Sequence, residues 1–421
     1  MTLQSGTSGT GSWPRRGGTI LVGQSADALL RFGVFLATAR ILVPVEFSRY
    51  ALLTAALATC QIVFAFGAPR TAMFLYSRGS RRSLLGWLIL LAAAASLSAA
   101  LGLTMLPSLR QWAFPDVPRP LVFFGLAPLP FVLLCDSLSA TLLADLRERL
   151  YTGFLWARTL GGAVVLASSL LSDDRLVFLL VGRVAVNALV AAGLFAAAGA
   201  LPSWRGLGNL APEALRYGLP IAAGGAAIAL HRRADVLLLS ALGKTAEIGA
   251  YAVAYAVAEA FWMVTDSLEA ALFADLLRRD DSSAGDQAAR ALRLYRIGGA
   301  GAFAVGLFAG EAVIHFLFGG RYPEAAVLFP PALLAAVVWG TIRPCTSYLY
   351  SRGLNRRVLA VHSLGAAFNI VLCLAAIPRF GARGAVAATL ASYAVETALM
   401  TSSFARERRR TASAGPQAAA P

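Results

Sequence analysis

Charged side chains are scarce in this sequence: they make up 14% of its 421 residues, whereas hydrophobic residues make up 58%. A soluble domain carries roughly 25% charged residues, so this composition excludes an ordinary soluble enzyme. The apolar surplus also excludes an intrinsically disordered chain, because disordered chains are poor in apolar residues. The sequence therefore predicts a polytopic membrane protein, with room for about a dozen crossings of ~20 residues each.

Lysine, histidine and cysteine are rare as well. Lys244 is the only lysine, so arginine supplies almost all of the 37 basic residues and of the net charge of +15. In a membrane protein this excess indicates loop orientation and anionic lipid headgroups, and not a nucleic-acid partner. The cysteines lie in separate apolar stretches without metal-ligand spacing, so we expect small core residues, no metal site and no cofactor. They are Cys60, Cys135, Cys345 and Cys373.

Hydrophobic stretches predict twelve membrane-spanning helices and hence an all-α fold. The predicted spans are 18–41, 50–72, 84–106, 121–144, 155–172, 176–200, 214–241, 250–274, 297–318, 325–350, 358–378 and 384–405. We divide the chain into a disordered cytoplasmic N-terminus (1–17), an N-lobe with the first six spans (18–204), a C-lobe with the last six (205–405), and a basic, then disordered cytoplasmic tail (406–421).

The distribution of basic residues predicts the orientation. With the N-terminus inside, 22 of the 37 basic residues fall in inward segments and nine in outward segments, and the other six lie within spans. Basic residues concentrate in cytoplasmic loops. Both termini are therefore predicted to be cytoplasmic.

An internal repeat relates the two halves. Residues 46–50 and 247–251 both read Glu-x-x-x-Tyr, at an offset of 201 residues, and the same offset aligns Arg31 with Arg232. Six spans of equal topology in each half predict two lobes related by a pseudo-twofold axis along the membrane normal. Such lobes are typical of alternating-access transporters, which bind substrate between the lobes near the midplane.

Several ionisable residues lie at bilayer depth, where each costs roughly 2.5–3.5 kcal/mol and is expected to face a cavity or a partner. One interpretation is that they pair and only fix the packing, as the spacing of Arg232 and His231 to Asp235 allows. The other is a cationic chamber for an anionic substrate. The candidate substrate-binding residues are Asp27, Arg31, Arg232, Arg233, Asp235 and Arg343.

A second set of intramembrane residues could couple transport to an ion. Glu259 and Asp266 share one face of the eighth span with Glu269, and Glu311 lies one turn from His315 in the ninth span. We therefore take Glu259, Asp266, Glu311 and His315 as coupling candidates.

Four motifs resemble the polysaccharide transporters and O-antigen flippases of the multidrug/oligosaccharidyl-lipid/polysaccharide exporter superfamily. Residues 39–50 are similar to the elbow after helix 1 of that family, residues 233–254 to its helices 7 and 8, residues 320–326 to the start of its helix 10, and residues 369–385 to its Asn…Ile-Pro…Gly-Ala segment. Val43, Ser48 and Cys373 depart from the family pattern, which leaves the transported sugar open.

The resemblance implies a flippase of the bacterial inner membrane that moves an undecaprenyl-pyrophosphate-linked oligosaccharide outward during surface polysaccharide or lipopolysaccharide biosynthesis. It implies no catalytic residues, and as partners the lipid-linked oligosaccharide, anionic lipids, a polysaccharide polymerase and glycosyltransferases. The alternatives are a cation-coupled multidrug exporter, which the span-8 carboxylates favour, and a membrane enzyme of glycan assembly. The enzyme would need a large outward loop, and the longest one predicted, 107–120, is short.

Overall fold

A computed structural model of the protein describes residues 13–76, 81–105, 107–145, 147–199, 202–205, 207–276, 279 and 281–413. Within these ranges the structure is helical and contains no β-strand. The helices are α1 (Trp13–Ile41), α2 (Pro44–Phe64), α3 (Ala68–Tyr76), α4 (Arg81–Met105), α5 (Pro107–Ala113), α6 (Arg119–Leu126), α7 (Leu129–Ala144), α8 (Glu148–Ser168), α9 (Arg175–Ala198), α10 (Leu207–Ala241), α11 (Ile248–Leu276), α12 (Asp281–Phe318), α13 (Pro323–Gly340), α14 (Arg343–Ser351) and α15 (Asn355–Ser413).

Every predicted span lies on these helices. Spans two, four and ten are each divided between two helices, and spans eleven and twelve share α15. The boundaries differ from the predicted ones: α1 begins at Trp13, inside the segment expected to be disordered, and α15 continues to Ser413. In the described ranges, eight helices are long and apolar enough to cross a membrane, and the last of these contains both of the spans predicted for α15.

α15 is a helical hairpin that turns at Gly381. This residue has φ 55° and ψ −134°, a conformation that glycine adopts without the penalty of a Cβ. Ala382 N donates a hydrogen bond to Glu247 Oε2 at 2.6 Å, so a carboxylate caps the helix that begins there. A Cβ on residue 381 would lie 2.2 Å from the same oxygen. The sharp turn and the carboxylate cap therefore require glycine at this position.

The two lobes meet at the end of the molecule where the repeated Glu-x-x-x-Tyr elbows lie, which we call the elbow end. Gly249 N donates to Ser48 Oγ at 3.0 Å. Tyr322 Oη donates to Ala39 O at 3.0 Å, and the Arg40 guanidinium donates to the carbonyls of residues 316 and 317. Burial raises the pKa of Tyr322 to about 12, so its hydroxyl remains a donor at neutral pH. These bonds close the elbow end.

Contact between the lobes is unequal on the two sides of the pseudo-twofold axis. On one side α10 packs along α2, and Gly218 lies so close to the break between α2 and α3 that a Cβ there would be 2.3 Å from Phe66 O. On the other side α1 and α11 make far fewer contacts. Val22 and Leu29 on α1 and Leu268 on α11 are exposed. The lobes are thus sealed along α2 and α10 and more open between α1 and α11.

Candidate substrate site in the C-lobe

Two arginines of α10 share one carboxylate of α11. Nη2 of Arg232 lies 3.7 Å and Nη2 of Arg233 lies 3.5 Å from Glu259 Oε2. The three side chains are partly exposed, at 29%, 35% and 20% respectively. Because one carboxylate balances one guanidinium, this group carries a local excess of positive charge.

Two tryptophans hold the arginine side chains in place. The Arg232 Cζ lies 4.4 Å from the Trp262 ring centroid, and the Arg343 Cζ lies 4.3 Å from that of Trp339. The two indole rings are themselves 4.8 Å apart. A guanidinium over an indole face gains electrostatic attraction to the ring quadrupole. We call Arg232, Arg233, Glu259, Trp262, Trp339 and Arg343 the arginine–tryptophan cluster.

Arg343 begins α14, one turn after the end of α13, and pairs with α11. Its Nη1 lies 2.8 Å from Glu269 Oε2, and Ser347 Oγ donates to Glu269 Oε1 at 3.4 Å. The sequence offered Arg343 no carboxylate within a turn of its own helix; its partner comes from a neighbouring helix.

The helical spacing allowed Asp235 to pair with Arg232 or His231, but Asp235 pairs with neither of them. Its carboxylate accepts hydrogen bonds from the hydroxyls of Tyr251 and Thr389 and from Val236 N. The side chain is 2% exposed. The physical reason is that α11 and α15 present hydroxyl donors to this buried position, whereas Arg232 extends to Glu259. Asp235 therefore links three helices beneath the arginine–tryptophan cluster.

Two polar side chains of α1, Gln24 and Asp27, contact α8 inside the N-lobe. Thr159 Oγ1 donates to Asp27 Oδ1 at 2.5 Å, and Gln24 Nε2 donates to Tyr151 Oη at 3.0 Å. Asp27 is fully buried, while Arg31, which pairs with it at 2.9 Å, is 62% exposed. Among the described residues, no hydrogen bond or ion pair joins Arg31 to the arginine–tryptophan cluster. Asp27 and Arg31 thus form a separate N-lobe group.

One N-lobe charge pair was missed in the sequence analysis. Arg158 Nη1 lies 3.0 Å from Asp136 Oδ1, and Gln61 donates to the other oxygen of that carboxylate. Arg183 Nη1 donates to Thr54 at 3.0 Å. Asp136 stands alone in an apolar stretch of α7, so only the fold reveals its partners.

A second missed group is a buried carboxylate between two histidines. Glu396 is fully buried; His362 Nδ1 is hydrogen-bonded to its Oε1, and His231 Nδ1 lies 2.9 Å from its Oε2. His231 Nε2 is 3.0 Å from Ser392 Oγ. Asn369 Nδ2 donates to the carbonyl of His231 at 3.1 Å. We call His231, His362, Glu396 and Ser392 the buried histidine cluster.

The coupling candidates are scattered. Glu259 belongs to the arginine–tryptophan cluster. Glu311 and His315 are exposed on α12, outside both clusters, and the side chain of Asp266 lies outside the described part of the structure.

An arginine-lined pocket of about 710 Å³ opens between α12 and α15, where both helices approach the end opposite the elbows. Arg290, Arg293 and Arg296 line it on α12, and Arg408 lines it on α15. Asp286 pairs with Arg408 at 2.7 Å. With four cations against one anion, the pocket is suited to an anionic group.

Comparisons with known proteins agree with this architecture. Residues 37–327 match the sequence profile of the family described as "Polysaccharide biosynthesis protein". No curated protein sequence matches the chain. The fold is similar to that of lipid II flippase MurJ in an inward closed conformation, with a TM-score of 0.75 and 12% identity over 93% of this chain and 90% of that one.

Multidrug resistance MATE family transporters of the MOP superfamily share the fold as well. An inward-facing structure matches with a TM-score of 0.69 and 9% identity, over 94% of this chain and 96% of the other. An outward-facing structure matches with a TM-score of 0.61 and 12% identity, over 95% of both chains.

Proposed function

Because this chain belongs to the polysaccharide biosynthesis protein family, we propose that it moves a lipid-linked oligosaccharide with an undecaprenyl-pyrophosphate anchor across the bacterial inner membrane by alternating access. The observation that carries the proposal is the pair of cations, Arg232 and Arg233, on the single carboxylate of Glu259. A pyrophosphate is the anionic part of such a substrate, and guanidinium groups bind phosphate oxygens in pairs.

Two donors in the cluster support an anionic ligand. Arg232 Nε and Trp339 Nε1 are buried without a hydrogen-bond acceptor among the described residues. A buried donor without an acceptor costs about 1–3 kcal/mol. An oxygen-rich headgroup that entered between these side chains would satisfy both donors, and the attraction would be strong at the low dielectric constant of the interior.

The open side between α1 and α11 supplies a route for the lipid. A headgroup can enter the space between the lobes there while its polyprenyl chain stays among the membrane lipids beside exposed Leu29 and Leu268. The exposed Arg31 lies on the same helix as Leu29 and is a further headgroup ligand in this scheme. A transport cycle without covalent chemistry needs no catalytic residue.

Cation-coupled multidrug export is the second candidate function. The number of carboxylates near the cluster, from Glu259, Glu269 and Asp235, equals the number of its arginines. Its two tryptophans already lie against guanidinium groups, and aromatic faces also attract organic cations. The two functions differ in the charge of the transported molecule, and this difference can be measured.

The test is transport by the purified protein in proteoliposomes. A fluorescent undecaprenyl-pyrophosphate oligosaccharide reports translocation through its accessibility to an external lectin, and ethidium represents an organic cation. We expect the protein to accelerate lectin accessibility at least about tenfold, equivalent to ~1.4 kcal/mol in the barrier, without moving ethidium. Ethidium transport without glycan translocation would establish the alternative and overturn the proposal.

Location and partners follow from the same proposal. Both termini are placed in the cytoplasm, so the elbow end is periplasmic and the arginine-lined pocket is cytoplasmic. The pocket would hold anionic lipid headgroups. A polysaccharide polymerase would receive the exported glycan, and glycosyltransferases would supply it.

A further inference from the structure

The buried histidine cluster contains two imidazoles and one carboxylate at a depth where charge is costly. Glu396 is fully buried, and His231 and His362 are 2% and 6% exposed. An ionised carboxylate only accepts hydrogen bonds. Oε1 of Glu396 is hydrogen-bonded to His362 Nδ1, and Oε2 lies 2.9 Å from His231 Nδ1 without the alignment of a hydrogen bond. An ionised Glu396 favours a hydrogen on each of these Nδ1 atoms, because a lone pair at that distance would repel the carboxylate.

Ser392 determines the other nitrogen of His231. The Ser392 hydroxyl donates to Thr389 O at 2.9 Å, and His231 Nε2 lies 3.0 Å from Ser392 Oγ. A hydroxyl has one hydrogen to donate. When the Ser392 hydroxyl donates to Thr389 O, His231 Nε2 is the donor to Ser392 Oγ. With a hydrogen on Nδ1 as well, His231 is then an imidazolium that Glu396 balances.

Loss of the Nε2 proton has a defined structural consequence. The proton leaves for water while its electron pair stays on the nitrogen, and the Ser392 hydroxyl then turns to donate to His231 Nε2. Thr389 O loses its hydrogen bond from Ser392. The Thr389 hydroxyl donates to Asp235 at 3.3 Å, and Asp235 accepts a hydrogen bond from Tyr251. Contacts of Thr389 thus connect the His231 site to Tyr251 on α11.

We propose that the buried histidine cluster is the proton-binding site of the transporter, with His231 Nε2 as the atom that exchanges the proton; its role in coupling rests on the proposed function. One carboxylate balances one imidazolium, so the loaded cluster is neutral and the unloaded cluster carries a single negative charge. The neutral form is the less costly of the two inside the protein.

The surrounding charged groups are largely committed to other partners. On α10 these are Arg232 and Arg233, which pair with Glu259 of α11, and Asp235, which is bonded to Tyr251. Tyr255 on α11 stacks on Tyr251, Arg343 on α14 pairs with Glu269, and Tyr393 on α15 contacts the His231 ring. Trp339 on α13 contacts the ring of Tyr393. Glu396 is thus the carboxylate in direct contact with the imidazoles.

Close packing at Gly365 holds His231 and Glu396 together. A Cβ on Gly365 would lie 2.8 Å from His231 Cε1 and 3.1 Å from Glu396 Oε2. Glycine at this position therefore lets α15 approach the pair. His231 also adjoins Arg232 in sequence, so proton loading changes the charge next to the arginine–tryptophan cluster.

Histidine NMR tests proton binding without any substrate. The chain has three histidines, so ¹³Cε1-labelled full-length protein in detergent gives three signals, and His315→Gln assigns the exposed one. We expect the chemical shift of at least one buried signal to change with pH between pH 5 and 9. Glu396→Gln should move the midpoints of His231 and His362, and Ser392→Ala that of His231.

Two NMR results would overturn the site. One is that neither buried signal shifts in this range; the other is that both titrate like His315 and are unaffected by Glu396→Gln. Should Glu396→Gln fail to fold, His362→Gln and Ser392→Ala carry the same test, since each removes one contact of the cluster.

Transport under a pH gradient tests the coupling. Wild-type protein should translocate the lipid-linked glycan faster with an imposed pH gradient than without one. Glu213→Gln, a change at an exposed position, is the control and should respond in the same way. Glu396→Gln and His231→Gln should lose this response. Translocation that responds to the gradient equally in all variants would overturn the inference and leave the proposed function intact. A wild type that moves no glycan at any pH would overturn the proposed function, while the NMR result would stand.

Discussion

Ser48 and Gly249, which are 201 residues apart, meet through a hydrogen bond from the Gly249 amide to the Ser48 hydroxyl. The offset is the same as that of the internal repeat. Residues that are equivalent under a twofold axis contact each other only where they lie near the axis. The bond therefore marks the pseudo-twofold axis at the elbow end and joins the two lobes there.

A disulfide at this point should lock the lobes. A Cβ on residue 249 would lie 2.7 Å from Ser48 Oγ. Cysteines at the two positions are therefore close enough to form an S–S bond. We expect the Ser48→Cys/Gly249→Cys protein to stop translocating glycan when oxidised and to regain activity on reduction, because alternating access requires the elbow end to open. The single-cysteine variants are the controls. Full activity of the oxidised, cross-linked protein would show that these elbows stay together during transport.

Gly381→Ala should destabilise the α15 hairpin. Gly381 has φ 55° and ψ −134°, a sparsely populated conformation that costs a residue with a Cβ on the order of 1–3 kcal/mol. The new Cβ would also collide with the Glu247 carboxylate that caps Ala382. We predict a lower thermal midpoint in detergent, measured by the fluorescence of a thiol-reactive dye. Gly353→Ala, at a positive φ with no neighbouring heavy atom within 4 Å of the new Cβ, is the matched control. Equal losses in both variants would mean that the contact with Glu247 adds nothing to the backbone strain.

Because of the arginine-lined pocket, the thermal stability of the protein should depend on anionic lipid. Replacing Arg290, Arg293 and Arg296 together by glutamine should remove the stabilisation that phosphatidylglycerol or cardiolipin gives over phosphatidylcholine. Each cation near a membrane surface contributes about 1 kcal/mol. Thermal midpoints in nanodiscs of the two lipid compositions provide the measurement. A triple variant that keeps the full anionic-lipid effect would place the lipid site elsewhere, and an effect of free phosphate equal to that of the lipids would point to a soluble anion.

The predicted topology requires Arg149, at the start of α8, and Lys244, between α10 and α11, to be on opposite sides of the membrane. Reporter fusions at these positions should report the cytoplasm for Arg149 and the periplasm for Lys244, because basic residues concentrate in the segments that share the side of Arg149. Both reporters on the same side would contradict the orientation of the two lobes.

Much of the fold could be predicted from sequence because its signals are local. Each apolar stretch that predicted a span lies on helix in the described ranges, and eight of those helices are long and apolar enough to cross a membrane. The 201-residue offset predicted a fold of two lobes, which is the fold of the similar solved structures. The resemblance is confirmed by the family match and by the fold. The breaks within spans were not predicted: the break between α2 and α3 depends on Phe66 and Gly67 at positive φ, with Gly218 from another helix packed against them.

The site was less accessible to sequence reasoning because its partners come from distant helices. Spacing on α10 suggested Asp235 as the partner of Arg232, but α11 supplies Glu259 to the arginine and Tyr251 to the aspartate. His231, His362 and Glu396 lie on three different spans and have no common spacing. Only the turn at Gly381 brings His362 and Glu396 to the same depth.

Binding of the headgroup to the arginine–tryptophan cluster is the central claim, and a titration measures it directly. Purified wild-type protein, Arg232→Ala/Arg233→Ala and the exposed-site control Arg383→Ala would each be titrated with a pyrophosphate-linked oligosaccharide on a short polyprenyl chain, with tryptophan fluorescence as the signal. We predict that the double variant binds at least about tenfold more weakly than wild type, a loss of ~1.4 kcal/mol, and that the control binds as wild type does. Equal affinity in all three proteins would contradict the assignment of the pyrophosphate site to these arginines.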